Sequence, residues 1–273
     1  MSEIEATTPE PTATSAIDIG AIGGAVGQHV YRALPAVDRA EAIVNRLRGS
    51  ISLGVLRPGD RLPSEAEMSE SFGVSPATLR DALAQLRDAG LVETRRGRNG
   101  GTFVVDTPEP ARAEVERKLA AYSVAELRDI GDQRSAISGM SARLAAARSS
   151  ERDAARLTRL AQAVGAADSP GSRTRAHSRF WLELAVAAQS QRLLASELQL
   201  QLEIGDLLWT PLTHPLDHAQ VAESLTEIAS AVATHDAEAA SSRVKERIRL
   251  DSFHLIDEKL TLALGQPEKG LNS

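Results

Sequence analysis

Arg95, Arg96 and Arg98 stand with Gly97, Gly100 and Gly101 inside ten residues, TRRGRNGGTF, at positions 94–103. Arginine is almost never fully buried without a partner, and glycine disfavours helix. Cations on a backbone that bends freely suit contact with phosphates, because charge neutralisation supplies affinity and glycine permits close approach. A second group lies just upstream, in SPATLRDALAQLRDAG. Leu79, Leu83 and Leu86 make one helical face there, which leaves Ala77, Thr78 and Arg80 on another, near the start of the helix. Helices that read DNA present base contacts from that end.

Other chemistries find little support. There is no cysteine, so disulfides, thiolate metal sites and cysteine nucleophiles are excluded. No nucleophile–base pair or paired-carboxylate motif is present, and no enzyme is expected. His214 and His218 have the four-residue spacing of two ligands on a helix. Pro215 and the lack of a third neighbour favour a loop or helix start there instead. The formal charge of −6 does not advertise a polyanion partner. Residues 1–36 carry one arginine against four acids, residues 37–106 carry ten basic against ten acidic residues, and the remainder carries twenty against twenty-three. Any nucleic-acid surface must come from local clustering, and the arginine loop is the densest cluster available.

The elements that must hold these residues follow from pattern. Residues 1–36, rich in Thr, Pro, Ala, Gly and Ser, read as a flexible tail. Ala40, Ile43, Leu47 and Ile51 share one face of a helix. Pro58, Gly59 and Asp60 make a turn. Ser64 with Glu67 is a capping box opening a short helix that Gly73 ends, and Ser75 with Pro76 opens the next, which Gly90 stops. Alternation predicts short strands at 91–94 and 102–105 around the arginine loop. Two short helices and a ribbon make a winged helix-turn-helix over 37–106, and the loop is its wing. A linker at 107–112 leads to a region, 113–264, with helical periodicity throughout. A capping box at Ser123 and Glu126 opens a long helix, and further helices are expected near 151–165, 172–188, 190–209, 216–234 and 236–262. The fold class is therefore mainly α, with a small two-stranded wing and a C-terminal bundle of six or seven helices, followed by a tail at 265–273. No apolar run is long enough to span a membrane, and residues 1–10 carry three glutamates and no basic residue, so a cytoplasmic location is expected.

The segment LRPGDRLPSEAEMSESFGVSPATLRDALAQLRDAGLVETRRGRNGGTFVV resembles the DNA-binding domain of GntR-family bacterial transcription regulators. The helical second half resembles the FCD effector domain of the FadR subfamily, through LRDIGDQRSAISGMSARLAAARSS, HSRFWLELAVAAQSQRL and SLTEIASAVATHDAEAASSRVKERI. The resemblance implies a homodimer on a double-stranded DNA operator, with a small-molecule effector and no membrane. Ser64, Glu65, Ser75, Ala77, Thr78, Arg80, Arg95, Arg96, Gly97 and Arg98 are the expected DNA contacts. Two arginines usual in the family are replaced here by Ala66 and Pro76, which puts the family's usual operator in doubt and shifts work to Arg80, Thr78 and the wing.

Many FCD domains hold a divalent metal with one aspartate and three histidines. The matching positions here are His177, Trp181, Leu225 and Arg247. Indole and leucine offer no lone pair, and arginine stays protonated. The resemblance thus implies the effector role while arguing against the metal, and no cofactor is expected. Arg134, His177, Trp181 and Arg247 become the candidate effector residues, suited to an organic acid or acyl compound held by arginine. Arg247 has a second reading, in which it stacks on Trp181 or pairs with a neighbouring acid and closes the pocket. A constitutive DNA-binding dimer with a closed, ligand-free effector domain is the corresponding alternative.

Overall fold

Leucines three and four residues apart organise the first half around one small core. The computed structural model describes residues 38–97, 100–105, 112–210 and 212–265. Helix α1 (Arg39–Ser52) buries Ala40, Ile43, Val44, Leu47 and Ile51. Helix α2 (Glu65–Phe72) starts at Ser64, whose hydroxyl accepts from the Glu67 N–H while Glu67 returns to the Ser64 N–H. It stops at Gly73, which adopts φ 63° and so turns the chain left-handed. Helix α3 (Pro76–Asp88) starts at Ser75 and buries Leu79, Ala82, Leu83 and Leu86 against α1. Strands β1 (Val92–Arg95) and β2 (Gly101–Val104) pair antiparallel, with Val92 opposite Val104 and Arg95 opposite Gly101. Val92 and Val104 seal the same core.

The wing is broader than the two strands expected. The Leu62 N–H donates to Thr102 O, the Gly59 N–H to Val104 O, and the Val104 N–H to Asp60 O, while Arg61 bridges to Phe103. Residues 59–62, read in the sequence as turn, therefore line the outer edge of β2 and anchor the wing to the helices.

Seven helices follow: α4 (Arg112–Ala121), α5 (Val124–Arg148), α6 (Glu151–Ala166), α7 (Pro170–Ala187), α8 (Gln191–Ile204), α9 (His218–Ala233) and α10 (Ala237–Gly265). Ser123, Ser150, Ser169 and Ser190 each cap the helix that follows, satisfying N–H groups that a first turn leaves open. Helix α8 ends at Ile204, five residues before the sequence expectation, and residues 207–209 turn inward to bury Leu207, Leu208 and Trp209. Gly205 sits where a β-carbon would lie 2.6 Å from Gln201 O and 2.8 Å from Leu53. Helices α5 and α10 run closely together: a β-carbon on Gly131 would lie 2.5 Å from Ser252 Oγ. That closeness brings Arg134, one turn on along α5, against the middle of α10. Helix α1 leans on α7 and α8, so the two halves touch directly.

Candidate DNA interface and ligand-sensing core

The start of α3 is set by its cap. Ser75 Oγ accepts from the Thr78 N–H and lies 2.9 Å from Thr78 Oγ1, which fixes the helix entry and the Thr78 rotamer together. Burial of Leu79 and Leu83 then turns Ala77 and Arg80 outward, both exposed. Arg80 Nε donates to Glu65 at 2.9 Å, from α3 to the start of α2. The arginine is 68% exposed, and such a surface pair contributes about 0–1 kcal/mol. Glu65 thus aligns Arg80 without holding it strongly. Ser64, by contrast, spends its polar atoms on its capping box.

In the wing, Arg95 is engaged by Glu93 at 2.6 Å and lies 4.5 Å from the Phe103 ring centroid. Arg96 is exposed and has no partner among the described residues. Gly97 adopts φ 108°, a conformation side chains rarely take, and the Gly100 N–H closes the turn on Gly97 O at 2.8 Å. A β-carbon on Gly100 would lie 2.6 Å from Arg95 O, so both glycines are needed for this loop. Arg98 lies outside the described residues.

The four candidate effector residues meet in the helical half, together with residues the sequence reading did not single out. Arg134 of α5 is 1% exposed and Arg247 of α10 is 3% exposed. Between them lies Asp251, fully buried. Arg247 donates to one Asp251 oxygen from Nε at 3.0 Å and makes an ion pair from Nη2 at 2.8 Å. Arg134 reaches the other oxygen at 3.4 and 3.5 Å. Of the two readings of Arg247, the structure shows pairing with a neighbouring acid. Asp251 is four residues beyond Arg247, a spacing that brings two side chains together on a helix.

His177 and Trp181 lie one turn apart on α7, both completely buried. Trp181 donates from Nε1 to His177 Nε2 at 3.0 Å, and Arg134 sits 5.6 Å from the Trp181 ring centroid. Burial pushes the His177 pKa down to about 3, helped by the two arginines and opposed by Asp251. The ring is therefore neutral at ordinary pH. Since Nε2 accepts, its proton belongs on Nδ1, and Nδ1 has no protein partner. Arg134 Nε, Ser178 Oγ, Gln201 Oε1 and Trp209 Nε1 are likewise buried without a partner. Trp209 packs edge-on to His177 at 5.5 Å between centroids. Glu197 of α8, fully buried, accepts from Ser138 Oγ at 2.6 Å and from Gln201 Nε2 at 2.9 Å.

These donors do not make a metal site. Leu225 is packed in the apolar core of α9, Trp181 offers only an N–H, and Arg247 and Arg134 place positive charge beside His177. His214 is exposed and 3.7 Å from Asp257, and His218 is half-buried at the start of α9. Among the described residues no three His, Cys, Asp or Glu side chains are grouped as a metal requires. The residues present do not fit the family's metal.

Comparison with known proteins fixes the affiliation. Residues 39–104 match the family of bacterial regulatory proteins, gntR family, and residues 129–250 match the FCD domain. The HTH-type transcriptional regulator RmpR of Mycobacterium gastri is 47% identical over 239 residues, 87% of each chain. This chain belongs to the GntR family. The HTH-type regulator Rv0494 of Mycobacterium tuberculosis is 35% identical over 158 residues, covering 56% of this chain and 63% of that one. The Glc operon transcriptional activator of Escherichia coli is 32% identical over 119 residues, 44% of this chain and 46% of its own length. The protein is thus a GntR-family DNA-binding transcriptional regulator with an FCD effector domain. Among the described residues no helix is long and apolar enough to cross a membrane.

Proposed function

We propose that this GntR regulator binds a two-fold operator as a homodimer in the cytoplasm, and that a small organic acid or acyl compound sensed in the helical bundle adjusts its grip. In this reading residues 37–106 read DNA and residues 113–264 dimerise and sense, joined by 107–112 and flanked by tails at 1–36 and 265–273. Ser64, Glu65, Ser75, Ala77, Thr78 and Arg80 meet the major groove, and Arg95, Arg96, Gly97 and Arg98 meet the backbone beside it. Arg134, His177, Trp181 and Arg247 form the sensing core, with Asp251, Ser178, Gln201 and Trp209 added.

The observation that carries the effector assignment is the chemistry of the unpartnered atoms. Arg134 Nε, His177 Nδ1 and Trp209 Nε1 are all obligate donors in the state described, and Ser178 can also donate. Leaving a buried donor unsatisfied costs about 1–3 kcal/mol, so the core favours a ligand rich in acceptors, such as a carboxylate or an ester carbonyl. Thermal-shift screening of small carboxylates and acyl esters tests this. A hit should stabilise the parent and lose its effect in Arg134→Met. Stabilisation by cationic amines alone contradicts the assignment.

A second reading has its own observation. Asp251 answers both arginines from within the chain, as an effector carboxylate would from outside. On that reading the core is closed and the protein is a constitutive DNA-binding dimer, and no compound in the screen shifts its stability or its operator affinity.

A further inference from the structure

A separate basic cleft lies where the two halves meet. Its volume is about 490 Å³, within the size range of small-molecule sites. Gly54, Arg57 and Pro58 contribute from the chain just after α1, and Arg175 and Arg179 from α7, one turn apart. Leu160, Ala163 and Ala176 give it an apolar wall. The Arg175 stem lies flat on Gly54: a β-carbon there would stand 3.0 Å from Arg175 Cδ.

Three arginines share this cleft, and none of the three has an ion pair or side-chain hydrogen bond among the described residues. The nearest acid along α7, Glu183, is already taken by Arg156 at 3.1 Å. Arg179 is half-buried, and its basicity is lowered first by that burial and then by Arg57 and Arg156, with Glu183 opposing. Glu183, shared with Arg156, offsets part of this charge from one end of the cluster, and an anion in the cleft would offset the rest. Each guanidinium offers a planar fork that matches a carboxylate or phosphate edge.

We propose that Arg57, Arg175 and Arg179 form an anion site for a small phosphate- or carboxylate-bearing metabolite, distinct from the buried core. The bound anion bridges residues 54–58 of the DNA-reading half to helix α7 of the effector half. It therefore restrains the orientation of one half on the other. The site does not depend on the core reading: it shares no residue with Arg134, His177, Trp181 or Arg247.

Calorimetry on the full chain at fixed ionic strength tests this, with inorganic phosphate in one arm and citrate in the other. Chloride makes up the balance. Saturable one-site binding is expected in at least one arm, weakened tenfold or more in the double variant Arg57→Gln/Arg179→Gln and unchanged in Arg128→Gln, an exposed arginine elsewhere. Saturation with phosphate alone assigns a phosphate ester, and with citrate alone a polycarboxylate. Without anion and at low salt, the double variant should melt at or above the parent temperature, since repulsion has been removed. No saturable binding in either arm, equal binding by parent and double variant, or a lower melting temperature in that variant overturns the proposal. So does a loss of duplex affinity in the anion-free double variant, which would make the cluster a contact to the DNA backbone.

Discussion

Removing Asp251 should strongly destabilise the buried core around Arg134 and Arg247. In Asp251→Ala, two guanidinium groups that are 1% and 3% exposed lose the one acid they share among the described residues. Arg247 loses contacts at 3.0 and 2.8 Å, and Arg134 loses contacts at 3.4 and 3.5 Å. Glu197 makes no ion pair with either arginine and is hydrogen-bonded to Ser138 and Gln201 instead. Breaking a buried ion pair from one side costs about 3–5 kcal/mol. At about 2–4 °C per kcal/mol for a chain of this order of size, the melting temperature falls by roughly 6–20 °C. Rescue by an added carboxylate is expected. A small carboxylate such as formate can enter the space left by the side chain, and at about ten times its Kd it returns about 1.4 kcal/mol. Differential scanning calorimetry of parent and variant, with and without formate at matched ionic strength, reads both effects. A variant within about 1 kcal/mol of the parent, or equal formate gains in the two proteins, refutes the claim that Asp251 holds the arginines together.

The His177 ring predicts a pH dependence. Its folded pKa of about 3 lies below the ordinary 6.5, so between those values the unfolded chain binds a proton that the folded chain refuses. The stability from this group is complete above about pH 6.5 and falls on acidification by about 1.4 kcal/mol per unit. Denaturant unfolding at pH 6.5 and 5 should therefore show about 2 kcal/mol less loss in His177→Gln than in the parent; His254, also held down by burial, contributes to both equally. In the wing, Gly97→Val forces a branched side chain toward φ 108°. Duplex affinity should fall at least several-fold in a mobility-shift assay, and backbone strain of about 1–3 kcal/mol should lower the melting temperature by roughly 2–12 °C. Ser64→Ala removes one side of the α2 capping box and should cost about 0.5–2 kcal/mol by chemical denaturation.

Much of the scaffold was readable because its signals are local. Ser64 with Glu67, Ser75 with Pro76, and the leucine stripe of Leu79, Leu83 and Leu86 each declare an element within a few residues. The capping box of Ser123 and Glu126 does the same for the long helix α5 of the bundle. What escaped depends on residues far apart in the chain. The pairing of residues 59–62 with β2 carries no alternation of its own, so PGDRL reads as turn chemistry. Helix α8 keeps its apolar spacing past Ile204, and the close approach of Leu53 to Gly205 is a tertiary contact that this spacing does not show. Asp251 is instructive in both respects. Its distance of four residues from Arg247 was visible, but an acid and an arginine at that spacing usually mark a solvated helix face. Its burial against Arg134, 117 residues earlier, is a tertiary fact. The unpartnered atoms of His177, Ser178, Gln201 and Trp209 are invisible in sequence for the same reason.

The most direct test of the account is the affinity of the full chain for a duplex selected by the parent from a random-sequence pool, read by fluorescence anisotropy over a range of salt. Arg80 projects from the first turns of α3, and Arg96 stands unpartnered at the wing. Arg80→Ala should therefore lose about 1–3 kcal/mol, a factor of roughly 5 to 150, and relax the preference at one base position. Arg96→Ala should weaken all duplexes alike and lower the salt slope by about one. If both variants bind the selected duplex as the parent does, with unchanged salt dependence, then α3 and the wing do not dock as described and the account is wrong at its centre.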